Sequence, residues 1–85
     1  MKPKVDHYLD LRGAIPPISL LKVIQMFRKM KTNEILEILG RDPDTRMDIF
    51  KIIPDFAYEL IVVEEMRRDD SFRVQMKKRT DLLNK

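Results

Sequence analysis

No cysteine occurs among the 85 residues. This excludes a thiolate nucleophile, a persulfide and a disulfide framework built from the chain's own side chains. There is one histidine, His7. Asp10 lies three residues on, and in a strand two such side chains point to opposite faces, so they do not chelate one ion. Two glycines, Gly13 and Gly40, are too few for a phosphate-cradling loop, and prolines without N–H donors follow Gly13 closely. Aromatic residues make up 7% of the chain, which leaves few rings for stacking on bases. The longest aliphatic run, Leu60 to Val63, falls far short of a bilayer span. Residues 1–11 lack the continuous apolar segment of a secretory signal. These absences lead us to expect a soluble cytoplasmic protein that is not an enzyme and has no catalytic residue, metal or cofactor.

Of the residues present, 44% are hydrophobic, enough for one folded domain over 1–85. The net charge of +3 is segregated: +5 over residues 1–33, −6 over 34–66 and +4 over 67–85. Such a pattern fits solvated element faces, or a basic surface for an acidic protein or a nucleic acid.

His7 to Leu11 alternates and predicts a short strand. A helix is expected just behind Pro17, because proline is favoured where a helix opens. Its apolar side would be Leu20, Leu21, Val23, Ile24, Phe27 and Met30, with Lys22, Gln25, Arg28 and Lys29 opposite. Glu34 to Gly40 reads as a central strand. The Asp42-Pro43-Asp44 turn, with Thr45 and Asp48 as a cap, predicts a second helix from about Arg46 that ends near Pro54. Asp42, Asp44 and Asp48 match a calcium loop only in part, since its glycine and later glutamate are missing. Tyr58 to Met66 and Ser71 to Lys78 predict a strand pair across a four-residue connection. Glu64 and Glu65 are adjacent on a strand, point apart and form no acid–base pair. The fold class is α/β (α+β): a two-layer sandwich of order strand-helix-strand-helix-strand-strand, with both helices on one face of a four-stranded mixed sheet. The expected core is Leu20, Ile24, Phe27, Leu36, Ile38, Ile49, Leu60, Val62, Phe72 and Val74, with the polar alternation of the last strand facing water.

Leu9, Asp10, Gly13 and Pro17 resemble the opening of the TusA/SirA-like sulfur-carrier proteins, whose pattern is Leu-Asp-x-x-Gly-x-x-Cys-Pro-x-Pro. Asp42-Pro43, Asp48-Ile49, Glu59-Leu60, Glu64-Glu65 and Phe72-Arg73 continue the resemblance to Lys78. It implies a compact two-layer sandwich and, for typical members, sulfur relayed as a persulfide on the motif cysteine. Here that position is Pro16. The motif's last proline is Ser19, the usual Gly-His before Glu59 is Ala57-Tyr58, and the proline after Asp-Ile is Phe50. Neither proline, the Ser19 hydroxyl nor a thioether carries sulfane sulfur as a thiolate does.

The resemblance therefore implies a non-catalytic, protein-binding or regulatory relative of the sulfur relay. Its partner, a sulfur-relay protein, would meet Arg12, Gly13, Pro16, Pro17, Ser19 and Lys22. The competing expectation is a nucleic-acid-binding module using Arg73, Gln75 and Lys77 on the open sheet face, with Lys22 and Lys29 on the first helix. Neither reading involves a membrane.

Overall fold

A computed structural model describes residues 4–79 apart from 16, 42 and 67, with residue 43 described in its backbone alone. Four strands and two helices follow in the expected order: β1 (His7–Asp10), α1 (Ile18–Lys29), β2 (Ile35–Gly40), α2 (Pro43–Ile52), β3 (Tyr58–Met66) and β4 (Ser71–Lys78). A 3-10 turn, Asp55–Ala57, leads into β3. The sheet order is β1-β2-β4-β3. β1 and β2 are parallel, joined through α1, while β4 runs antiparallel to both β2 and β3.

Register fixes which side chains meet. His7 and Leu9 lie beside Leu36 and Ile38. Leu36, Ile38 and Gly40 face Met76, Val74 and Phe72 across the antiparallel pair. Both helices cover this face. Val23, Phe27 and Met30 of the α1 segment and Ile49 and Ile53 of the α2 segment complete the buried core. A Cβ on Gly40 would collide with the Phe72 ring, so at this position glycine lets the aromatic lie flat on the strand.

α1 opens behind Pro17 without a side-chain cap and carries Arg28 and Lys29 in its last turn, where basic charge complements the exposed carbonyls. Asn33 takes a left-handed conformation (φ 74°), which asparagine tolerates, and turns the chain into β2. The Lys31 N–H donates to Glu34 Oε1 at 2.8 Å.

The structure corrects several expectations. α2 begins at Pro43, a full turn before Arg46, because proline supplies the helical φ at an opening where its missing N–H has no partner to lose. Thr45 is therefore inside the helix and buried and does not cap it; Asp42 lies outside the described residues. Leu60 is 46% exposed and is not core. It sits on an edge strand whose register slips between Leu60 and Val62. The extra residue moves Val62 opposite Gln75 on the far face and Val63 opposite Val74. Leu20 and Ile24 are half-buried and Leu21 is exposed, so the buried stripe of α1 runs instead through Ser19, Val23 and Phe27.

The polar face of β4 is not open to water as expected. Gln75 is 5% exposed and donates to Glu37 Oε1 at 2.6 Å. Arg73 donates to Glu64 Oε2 at 2.9 Å and lies 3.9 Å from Glu37. A central strand carries neighbours on both sides, and their long side chains roof it over.

Candidate functional site

The β1–α1 connection is built from the end of a strand ladder. The Leu11 N–H donates to Leu39 O at 2.7 Å, which prolongs the β1–β2 pairing, and the Ala14 N–H donates to Leu11 O at 3.0 Å, which closes a turn. Asp10 holds this turn from one side. Its carboxylate accepts from the Arg12 backbone N–H at 3.1 Å, from Nε at 2.9 Å and from Nη2 at 2.8 Å. This fork brings the Asp10 pKa down to about 2, first through the Arg12 side-chain hydrogen bond and then through the Arg12 backbone N–H. The same contact raises the Arg12 pKa.

Arg12, Gly13, Pro17 and Lys22 are exposed around the α1 start. Gly13 does not have a left-handed φ, and a Cβ there would meet nothing within 4 Å. No local packing demands glycine. Pro16 lies outside the described residues. Ser19 is fully buried; its N–H donates to Ile15 O at 3.1 Å, while its Oγ has no partner among the described residues. It therefore lies beneath the surface that the other four residues present.

The sequence reading missed three apolar side chains here. Ile15, Ile18 and Leu21 are 69%, 53% and 52% exposed. Leu21 was hidden by the helical periodicity, which assigned it to the core. Ile15 carried a legible signal, being a β-branched residue within a Gly/Pro loop where no element needs it.

The nucleic-acid candidates are not brought together. Lys22 and Lys29 lie on the helix layer, whereas Arg73, Gln75 and Lys77 lie on the opposite face of the sheet. Arg73 and Gln75 are engaged with Glu37 and Glu64, and Lys77 stands opposite Glu59. His7 Nε2 lies 2.8 Å from Glu34 Oε1. The Glu34 carboxyl is held below its ordinary pKa by the Lys31 N–H first and by His7 second. No cluster of metal-ligating side chains occurs among the described residues, and none of their helices is long and apolar enough to cross a membrane.

A second buried polar group was also missed. Lys78 is fully buried, and its Nζ donates to Phe27 O at 2.8 Å and Met30 O at 2.7 Å. It lies 5.2 Å from the Phe27 ring centroid. It closes the C-terminus of α1 from the sheet. The strict alternation of Phe72, Val74 and Met76 points to Lys78 as the next inward residue, a signal outweighed by the habit of placing lysine in water.

A mixed sheet with two helices on one face, and an exposed, carboxylate-braced loop at the start of the first helix, define a small α+β domain. The comparisons give that class its family. The sequence model described as sulfurtransferase TusA matches residues 7–78, and the chain belongs to the TusA family. It is 27% identical over 70 residues to a putative sulfur carrier protein of Archaeoglobus fulgidus, covering 82% of this chain and 93% of the relative. It is 29% identical over 77 residues to the sulfur carrier protein TusA of Pseudomonas syringae pv. syringae, covering 91% of this chain and 89% of the relative.

Proposed function

We propose that this chain is a non-catalytic TusA-family protein that binds a protein component of a sulfur relay without itself carrying sulfur. The observation behind this reading is a braced, exposed loop at the start of α1 combined with the loss of the family's cysteine. Asp10 and Arg12 order the connection, Ile15, Ile18 and Leu21 surround the helix start with exposed apolar surface, and the family's cysteine position holds Pro16. The contact surface is Arg12, Gly13, Pro16, Pro17 and Lys22, widened by the three apolar side chains. Ser19 supports it from below. Gly13 fits this role, since a residue with no local reason to be glycine still permits close approach of a partner backbone. The protein acts in the cytoplasm, and as a binding module rather than an enzyme.

The test is direct binding to a purified cysteine desulfurase, followed by optical biosensing. We expect saturable binding that weakens by at least about tenfold in Ile18→Asp and in Leu21→Asp, the scale of losing one buried apolar anchor. Both positions are exposed, so the melting temperature should hold. Absence of binding, or variants that bind like the parent protein, would remove the proposal.

A further inference from the structure

A cavity of about 440 Å³ opens between the start of α2 and the β3–β4 connection, lined by Arg41, Arg46, Glu65, Met66, Asp70, Ser71 and Phe72. Its size is that of small-molecule sites. It lies just past the carboxyl end of β2, which is parallel to β1, and ligands of open sheets tend to collect at the carboxyl ends of parallel strands.

The lining charges are not equivalent. Arg46 is held by Glu65 at 3.0 Å, so this pair is neutralised within the wall. Ser71 is buried and donates both its N–H and its hydroxyl to Asp69. Arg41 and Asp70 differ from these. Among the described residues neither the Arg41 guanidinium nor the Asp70 carboxylate has a hydrogen-bond or ion-pair partner. Arg41 also lies in the field of two carboxylates, Asp10, which is paired with Arg12, and Asp69, which accepts hydrogen bonds from Ser71 and keeps its charge. The cavity thus presents one cation and one anion that hold no hydrogen-bond or ion-pair partner among the described residues, beside Met66 and the buried Phe72.

We propose that this cavity binds a free α-amino acid with an apolar side chain, its carboxylate on Arg41, its ammonium on Asp70 and its side chain against Met66 and Phe72. A plain anion would satisfy Arg41 but meet Asp70; a plain cation would meet Arg41. A zwitterion satisfies both groups at once, and the guanidinium offers a carboxylate two parallel donors. The site is separate from the α1 docking surface.

The test is an NMR titration of the ¹⁵N-labelled full chain with L-leucine. A ligand this small supports a dissociation constant on the order of 0.1–10 mM. We expect saturable shifts at the amides of Arg41, Ser71 and Phe72. N-acetyl-L-leucine, which lacks the ammonium, and L-leucinamide, which lacks the carboxylate, should each bind at least about tenfold more weakly, the scale of one charge-assisted hydrogen bond. Arg41→Gln and Asp70→Asn should each weaken L-leucine binding to a similar degree. Both residues are exposed, so the spectrum elsewhere should be unchanged. The proposal is overturned by the absence of saturable shifts up to about 50 mM L-leucine, five times the weakest expected constant, by equal binding of phosphate or N-acetyl-L-leucine, or by variants that bind like the parent.

Discussion

Ser19 in the first turn of α1 and Lys78 at its C-terminal end are both fully buried polar residues, and they should respond to replacement in opposite ways. The Lys78 amine satisfies two carbonyls at the helix end. Lys78→Met keeps the hydrophobic stem but leaves those carbonyls without that donor, so we expect a loss of about 2–4 kcal/mol in urea unfolding. The Ser19 hydroxyl has no partner among the described residues. Ser19→Ala removes a desolvated group at little change in volume and should leave stability unchanged or raise it by up to about 1 kcal/mol. Pro16 poses a chemical question at the same scale. Cysteine there would sit just ahead of α1, whose first turn contains no acidic side chain, so the helix N-terminus would favour its thiolate. Pro16→Cys should accept sulfane sulfur from a cysteine desulfurase faster than a control Arg68→Cys in the exposed connection. Mass spectrometry of the persulfide adduct measures both, and equal labelling would mean that the site is no longer a carrier scaffold.

At the scale of elements, two departures from the family pattern meet in space. Phe50 of α2 and Tyr58 of β3 stack with ring centroids 6.2 Å apart and planes inclined by 27°. Where typical members carry proline and histidine, this chain ties α2 to its edge strand through an aromatic pair. Such pairs contribute about 0.5–1.5 kcal/mol beyond their area. A double-mutant cycle of Phe50→Leu and Tyr58→Leu should therefore return a coupling of that size; additive losses would show that the rings touch without stabilising one another. The pairing was not readable from the chain, because it joins two elements whose relative placement follows from packing and not from the period of either. α1 and β2 were legible because a proline opening and a run between turn residues bound them closely.

For the whole molecule, the charged surface sets the acid response. The pKa of Asp10 lies near 2, below its ordinary 3.8. Glu34 and Asp69 are lowered as well, first by the Lys31 N–H and by the Ser71 hydroxyl respectively. A depressed carboxylate binds fewer protons folded than unfolded, so its contribution is complete above the unfolded pKa and disappears as pH falls through the folded one. The melting temperature should therefore decline from about pH 5 towards pH 2. Asp10→Asn should flatten that decline between about pH 4 and pH 2. A circular-dichroism melting series on both proteins measures this, and parallel pH profiles would mean that the Asp10–Arg12 fork adds nothing to folding.

The chain by itself determined the element order, the helix start behind Pro17 and about half of the core, because proline geometry and apolar period act within a few residues. It also determined the missing chemistry, since a residue that is absent cannot be restored by folding. Tertiary structure decided the rest. It placed Lys78 in the core beneath α1, roofed Arg73 and Gln75 with acidic neighbours, exposed Leu21 and Leu60, and gathered Arg41 and Asp70 around one cavity. In each case the outcome depends on residues distant in sequence, whose positions follow from strand register and from which parts of the sheet the two helices cover.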